Sequence, residues 1–166
     1  MIKRKLQPVI EKYFFRGKAI IITGARQVGK TTLALELAKK AARPYLFWNC
    51  DEPDVEQFLH RPSSTALKHR IAGNELLIID EAQRIQNIGV TLKLITDSMK
   101  HLQLIVTGSS ALGLRDSIHE PLTGRKVEFQ LHPFSCSELA DAFSETEEVR
   151  LLEQRMIYGM YPEIVL

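Results

Sequence analysis

The residues best suited to chemistry lie in one short loop near the amino terminus. Residues 24–31 read Gly-Ala-Arg-Gln-Val-Gly-Lys-Thr, which is the pattern G-x-x-x-x-G-K-T. Glycines permit positive φ and close approach, so the amide groups of such a loop can converge on a polyphosphate. Lys30 is placed to reach the β- and γ-phosphates, and Thr31 offers a hydroxyl to Mg²⁺, which prefers hard oxygen ligands. The loop therefore predicts a nucleotide-phosphate site.

The segments on either side of this loop support the interpretation. The apolar residues 19–22 precede the loop and the helix-compatible residues 32–38 follow it. A strand, a loop and a helix form the context that the motif requires, and the helix directs its positive end toward the anion. This context argues against a glycine loop that arose by chance. The predicted phosphate-binding residues are Gly24, Ala25, Arg26, Gln27, Val28, Gly29, Lys30, Thr31 and Thr32.

Two adjacent carboxylates form the second candidate group. Four apolar residues, 76–79, lead directly into Asp80 and Glu81. A continuous apolar segment predicts a strand covered on both faces, and the carboxyl end of such a strand faces the ligand-binding crevice. Asp80 suits Mg²⁺ binding, and Glu81 suits orienting and deprotonating an attacking water. Alternation along a strand directs neighbouring side chains to opposite sides, so we expect the two carboxylates to have different roles.

Polar residues also follow the fourth predicted strand, at 102–107. Gly108, Ser109 and Ser110 come next in the chain. Ser109 could contact the γ-phosphate or its water. Alternatively, the hydroxyls could cap the next helix or make a turn, and the sequence leaves both interpretations open.

The remaining segments predict the elements that position these groups. Helical spacing of apolar residues predicts a short helix over 6–14, and residues near Ile2 and Arg4 could line a base pocket. Capping boxes at Ser135 and Ser144 predict helices that end near Phe143 and Tyr158, the second closed by Gly159. The predicted strands are 19–22, 44–49, 76–79, 102–107 and 127–131. Helices between strands favour a parallel, three-layer α/β sheet with right-handed crossovers.

Further helix signals lie between these strands. The acidic residues 51–54 could suggest a metal site, but an acidic cap before Pro53 better predicts a helix start. Residues 62–65 can cap a helix that Gly73 ends, and the apolar spacing within 92–99 predicts another helix.

Composition and charge exclude several classes of protein. The 166 residues are 45% hydrophobic and 25% charged with a net charge of +2, which is ordinary for one globular domain and gives no sign of nucleic-acid binding. The two cysteines, Cys50 and Cys136, form no C-x-x-C pair, and no metal-ligand spacing is present. Neither a signal peptide nor a membrane-spanning segment is predicted, so we expect a reduced, cytoplasmic chain without membrane partners.

Five motifs together closely resemble a prokaryotic family of AAA+-like P-loop ATPases. They are Gly24 to Leu33, Leu76 to Gln83, Thr107 to Ser110, Leu122 to Arg125 and Leu131 to Ser135. The resemblance covers nearly the whole chain and implies a P-loop NTPase fold with a mainly parallel five-stranded sheet in the order 5-1-4-3-2. It implies that ATP and Mg²⁺ are the ligands. Lys30 and Thr31 would belong to Walker A, Asp80 and Glu81 to Walker B, and residues 107–109 to the first sensor.

The same resemblance concerns Arg125 and the end of the chain. Arg125 matches a position that could act as an arginine finger or sensor, or could equally be structural. A finger that reaches another subunit would require a homo-oligomer. Family members usually continue into a nuclease-like C-terminal domain, so residues 1–166 are expected to be one ATPase domain cut from a longer protein. The segment 158–163 resembles the family's Gly-Gly-x-Pro-Glu junction, with Met160 in place of the second glycine.

Three functions are compatible with these residues. The first is ATP hydrolysis coupled to a conformational change in a larger protein. The second is a helicase-like motor, because the sequence at 80–83 is a DExx box, although such motors need two motor domains and a basic strand-binding track. The third is a nucleotide-gated binding module with little turnover, against which the presence of Glu81 argues.

Overall fold

The polypeptide forms a three-layer α/β/α sandwich, seen in a computed structural model that describes residues 2–109, 118 and 121–166. The strands are β1 (Ala19–Gly24), β2 (Tyr45–Asn49), β3 (Leu76–Asp80), β4 (Gln103–Ser109) and β5 (Lys126–Leu131). The helices up to β4 are α1 (Gln7–Glu11), α2 (Lys30–Ala41), α3 (Pro53–His60), α4 (Ser64–Ile71), a 3-10 helix (Ala82–Arg84) and α5 (Ile88–Ser98). Those after β5 are α6 (Cys136–Ala142), α7 (Glu145–Arg150), α8 (Leu152–Tyr158) and α9 (Pro162–Val165).

All strand pairs in the sheet are parallel, and their order is β2-β3-β4-β1-β5. Read from the other edge this is 5-1-4-3-2, so the predicted fold class and strand order are confirmed. The strand β1 lies between β4 and β5, which brings the loop after Gly24 beside the ends of both neighbours. Parallel strands end at one common edge, and Asp80 and Ser109 therefore lie on the same edge as this loop.

The alternation of side chains along the strands explains the two cores. Ile20 and Ile22 pack with α1 and α2 on one face, whereas Ile21 and Leu77 pack with α3, α4 and α5 on the other. Every residue of β1 and β3 is buried, while the edge strands β2 and β5 are partly exposed. Continuous apolar strands are thus covered on both faces, as the sequence predicted.

The predicted helix starts are mostly confirmed. Pro53 begins α3 after Glu52, and the Ser63 hydroxyl accepts a hydrogen bond from the backbone N–H of Ala66 at the start of α4. Ser135 and Glu138 form the complete capping box of α6. The acidic residues near α3 are paired in ordinary ion pairs, Asp51 with Arg84 and Asp54 with Arg70.

The predicted helix from Ser144 to Tyr158 is wrong in its middle. Leu151 leaves helical geometry, with φ −89° and ψ 2°, and divides the segment into α7 and α8. A buried ion pair joins Glu148 of α7 to Arg155 of α8 at 2.9 Å, so the two helices pack across the break. Gly159 has positive φ, but its ψ of −173° differs from the left-handed cap that was predicted.

Two further findings concern the whole chain. Within the described residues, no helix has both the length and the apolar character needed to cross a membrane. Both cysteines are unpaired, and burial raises the pKa of the Cys50 thiol to about 12, helped by the nearby carboxylate of Asp80. A thiol with a raised pKa stays protonated and is a poor nucleophile.

Candidate nucleotide-binding site

The loop between β1 and α2 has a backbone that only small or permissive residues allow. A Cβ atom on Gly24 would lie 2.3 Å from the carbonyl oxygen of Leu131, so a side chain at this position would clash with β5. Gly29 has φ 90° and is the N-cap of α2, and Gln27 also has positive φ. Left-handed residues of this kind turn successive N–H groups to one side, which forms a concave anion-binding surface.

Lys30 is the buried cation of this loop. Only 4% of its surface is exposed, and its Nζ donates a hydrogen bond of 2.8 Å to the carbonyl oxygen of Ala25. Burial lowers the pKa of Lys30, and Arg26 adds to that shift, whereas Glu81 and Asp80 oppose it. A polyphosphate would favour the charged form of this amine, because an opposite charge nearby raises the pKa of a lysine.

Asp80 links the loop to the strand β4 through two side-chain hydroxyls. Thr31 Oγ1 donates a hydrogen bond of 2.8 Å to Asp80 Oδ2, and Thr107 Oγ1 donates to Asp80 Oδ1. Thr31 is the second residue of α2, and Asp80 is the last residue of β3. A hydroxyl and a carboxylate that lie side by side next to the loop are the kind of oxygen ligands that Mg²⁺ takes in phosphate sites.

Glu81 is separated from Asp80 by a turn of the backbone. It lies just after β3 in a left-handed conformation, with φ 54° and ψ 40°, and its N–H donates to Thr107 Oγ1 at 3.2 Å. We predicted different directions for the two side chains from strand alternation, but this turn sets the direction of Glu81. The side chain is half-buried, and Glu81 Oε2 accepts a hydrogen bond from Gln83 Nε2.

The sequence profile of the AAA domain matches residues 16–140, which include the loop, Asp80, Glu81 and the whole sheet. The chain belongs to the AAA domain family. Two uncharacterized proteins, one of Mycobacterium bovis and one of Mycobacterium tuberculosis, are each 29% identical to it over 118 residues. Those residues are 70% of this chain and 25% of each relative, so the chain spans a quarter of their length.

Two solved structures have a fold similar to that of this AAA domain. The Aeropyrum pernix ORC1 protein, solved in complex with DNA, has a TM-score of 0.57 and 15% identity over 86% of this chain and 48% of its own. The Pif1 helicase of Candida albicans has a TM-score of 0.54 and 14% identity over 92% of this chain and 44% of its own. At these identities the likeness concerns the fold alone.

Arg4 contacts the backbone of the glycine loop between β1 and α2. Its guanidinium donates a hydrogen bond of 2.9 Å to the carbonyl oxygen of Val28, contacts the carbonyl oxygens of His132 and Pro133, and pairs with Glu138 at 3.3 Å. The side chains of Arg4 and Glu138 are 10% and 7% exposed. Sequence reasoning gave Arg4 only as a possible lining of a base pocket, because no local pattern reveals a partner 134 positions away.

Arg125 lies at the other edge of the sheet. It directly precedes β5, and its carbonyl oxygen accepts a hydrogen bond from Ala19 N–H, where β1 begins. The strand β1 is six residues long, so the loop after Gly24 is about 20 Å away along the strand. The guanidinium pairs instead with Asp97 of α5 at 2.7 Å. The structure therefore does not bring Arg125 together with Lys30, Asp80 and Glu81 of the same chain.

The other predicted site residues lie at the edge that carries the loop. Ser109 ends β4 beside Gly24, and its N–H donates to Gln83 Oε1 at 3.1 Å. Arg26, Gln27 and Thr32 are exposed around the loop. Ser110 falls outside the described residues. Among residues 2–109, 118 and 121–166, no three His, Cys, Asp or Glu side chains are grouped as ligands for a metal ion.

Proposed function

We propose that this AAA domain binds ATP with Mg²⁺ and hydrolyses the terminal phosphate bond. The observation that carries the proposal is the hydrogen-bonded group of Thr31, Asp80 and Thr107, which lies between the glycine loop and Glu81. This group places a pair of oxygen ligands suited to a metal, Thr31 and Asp80, beside the glycine loop and near the carboxylate of Glu81. The backbone turns at Gln27 and Gly29 and the buried cation of Lys30 fit a polyphosphate, and Thr31 with Asp80 fits Mg²⁺.

In this proposal each residue has a separate task. The loop amides and Lys30 hold the β- and γ-phosphates, and Thr31 and Asp80 hold the metal, which when bound neutralises charge that develops on the phosphates. Glu81 orients a water and accepts its proton, and the hydroxyl of Ser109 at the end of β4 would contact the γ-phosphate, because the Ser109 N–H already donates to Gln83. A buried, preorganised arrangement needs little rearrangement when charge develops in the transition state.

The hydrolysis is proposed to drive a conformational change in a larger protein. This rests on two observations. The mycobacterial relatives are about four times as long as the matched segment, and the elements after β5 contact the loop through Arg4 and the segment 132–138. A C-terminal domain in cis and a second copy of the chain are both compatible with this coupling.

Single-turnover hydrolysis of bound ATP tests the chemistry. Glu81→Gln keeps the shape of the side chain and removes its basic carboxylate, so we expect ATP to stay bound while hydrolysis falls by about 10²–10⁴-fold. Asp80→Asn should instead raise the Mg²⁺ concentration needed for activity. Glu153→Gln, at an exposed position on α8, is the matched control and should hydrolyse ATP at the wild-type rate.

Two outcomes would favour other functions. Tight ATP binding without turnover in the wild-type chain would favour a nucleotide-gated binding module. Hydrolysis that rises steeply with single-stranded DNA would favour a helicase-like motor, because such motors couple turnover to a nucleic-acid strand. Measurements with and without DNA therefore separate the three functions. Equal hydrolysis by wild type and Glu81→Gln would refute the assignment of Glu81.

A further inference from the structure

The side chain of Gln83 connects the ends of two strands at the proposed site. Its amide nitrogen donates to Glu81 Oε2, and its amide oxygen accepts the Ser109 N–H at 3.1 Å. Gln83 lies in the 3-10 helix just after β3, whereas Ser109 is the last residue of β4. We refer to these two hydrogen bonds as the Gln83 bridge.

The backbone explains why a side chain occupies this place. The strands β3 and β4 pair through Ile79 and Val106, and β3 ends at Asp80. The chain then turns away at Glu81, which has a left-handed conformation. The Ser109 N–H therefore extends past the last residue of β3, and Gln83 supplies the acceptor that a longer strand would have supplied.

The same geometry fixes the carboxylate of Glu81. A side-chain amide that donates to one carboxylate oxygen limits rotation about the last bond of glutamate and leaves the second oxygen to accept from a water. Because the amide oxygen of Gln83 is already held by Ser109, the amide nitrogen must face Glu81. The hydrogen bond from the Ser109 N–H therefore orients the Gln83 amide so that it donates to Glu81.

We infer that Gln83 is a positioning residue for hydrolysis. It holds the Glu81 carboxylate at a fixed position relative to the end of β4. This inference rests on the proposed function, because it assigns to Gln83 a role that acts through Glu81. It is distinct from a structural role, in which Gln83 would only satisfy the Ser109 N–H. A general base misplaced by about 1 Å can lose about 10²-fold in rate, so the two roles differ measurably.

Two substitutions separate the halves of the bridge. Gln83→Glu keeps an acceptor for Ser109 N–H but replaces the donor to Glu81 with a second carboxylate. Gln83→Met has a similar length and removes both hydrogen bonds. We expect single-turnover hydrolysis to fall by about 10- to 100-fold in both variants, with the Kd for Mg-ATP unchanged. Hydrogen exchange of the Ser109 amide should become faster in Gln83→Met only.

A double-mutant cycle with Glu81 provides the deciding readout. If Gln83 acts through Glu81, Gln83→Met should cause no further loss in the Glu81→Gln background, since residues that act as a unit are not additive. Losses that multiply, or a wild-type rate in Gln83→Glu, would overturn the positioning role and leave the proposed function in place. A Glu81→Gln variant as active as wild type would instead refute the proposed function. Unchanged Ser109 exchange in Gln83→Met would refute the bridge itself, with or without turnover.

Discussion

Two arginines pair with carboxylates at opposite edges of the sheet, and their surroundings differ. Arg4 pairs with Glu138 beside the glycine loop, where both side chains are nearly buried and the guanidinium also contacts three backbone carbonyl groups. Arg125 pairs with Asp97 at the edge where β1 and β5 begin, and these side chains are 42% and 47% exposed. The pairs have the same chemistry, but only one of them touches the loop.

The difference shows at which edge of the sheet an arginine contributes to the stability of the fold. At the carboxyl edge, the backbone carbonyl groups of Val28, His132 and Pro133 all lie within reach of one guanidinium. A guanidinium carries five N–H groups and can serve several acceptors together, which is what Arg4 does. At the amino edge the pair of Arg125 with Asp97 is exposed to solvent, and an exposed ion pair contributes little to the free energy of unfolding. We therefore expect substitutions at the two edges to have different effects.

Arg4→Met should have the largest effect on stability. It leaves the buried carboxylate of Glu138 without its cation and the carbonyl of Val28 without a side-chain donor. Breaking a buried ion pair by removing one partner costs about 3–5 kcal/mol. Chemical denaturation measures this loss as a decrease in the free energy of unfolding.

Arg43→Met is the matched control for Arg4→Met. Arg43 also pairs with a glutamate, Glu75, but their side chains are 55% and 45% exposed. We expect the control to lose about 0–1 kcal/mol. If Arg4→Met lost no more than Arg43→Met, the contrast between buried and exposed arginines would be wrong.

The second prediction concerns the stabilisation that nucleotide gives to the carboxyl edge. Mg-ATP at 100 times its Kd should stabilise the wild-type chain by about 2.7 kcal/mol, because the ligand binds only the folded state. Lys30→Met should lose most of this shift under the same conditions. Thermal melting with and without Mg-ATP measures both.

Lys40→Met, at an exposed position on the same helix, controls for the loss of a positive charge on α2. It should keep the full shift with Mg-ATP. An equal shift in Lys30→Met would mean that the buried amine does not hold the phosphates.

The third prediction compares two helix caps. Glu138 accepts hydrogen bonds from the N–H groups of Ser135 and Lys5 besides its pairing with Arg4, so the α6 cap is part of the same cluster. Ser135→Ala should lose about 1 kcal/mol or slightly more, since cap substitutions cost about 0.5–2 kcal/mol. Ser144→Ala removes the simpler cap of α7 and should lose less. A larger loss in Ser144→Ala than in Ser135→Ala would mean that the contacts of Glu138 with Arg4 and Lys5 add nothing to the α6 cap.

These comparisons also show what the sequence could reveal. The glycine loop, the strand order and the pair Asp80 and Glu81 depend on local patterns and on a family resemblance, and their positions agree with the structure. Arg4 and Glu138 are far apart in the chain, so no periodicity indicates their pairing. The turn at Glu81 and the break at Leu151 depend on tertiary packing, which overrides local helix and strand preference.

Gln83 is an intermediate case. In the sequence, Gln83 is the last residue of the DExx box at 80–83 and of the family motif from Leu76 to Gln83, and neither pattern indicates a separate role for its side chain. Its bridge to Ser109 depends on the register of β3 and β4, which a single sequence does not specify. The sequence therefore predicted that the loop, Asp80 and Ser109 lie at one end of the sheet, whereas the contact of Gln83 with Glu81 and Ser109 could not be predicted.

The smallest effect should come from Arg125→Gln. Its pair with Asp97 is exposed, so we expect a loss of about 0–1 kcal/mol in stability. Because Arg125 lies at the far edge of the sheet from the loop, it cannot reach a phosphate held by its own chain. Any effect on hydrolysis must therefore come from a second copy, where an arginine supplied in trans can contribute about 10³–10⁵-fold.

Protein concentration separates the two roles of Arg125. At concentrations where the chain is a monomer, Arg125→Gln should hydrolyse ATP as wild type does. If wild-type activity per molecule rises with concentration, Arg125→Gln should abolish that rise, whereas Asp97→Asn, which frees the guanidinium, should keep it. A concentration-dependent rise that survives Arg125→Gln would assign the trans contact to another residue and make Arg125 a structural arginine. A loss of activity in monomeric Arg125→Gln would contradict the placement of this residue at the amino edge, because no group there can act on a phosphate about 20 Å away along β1.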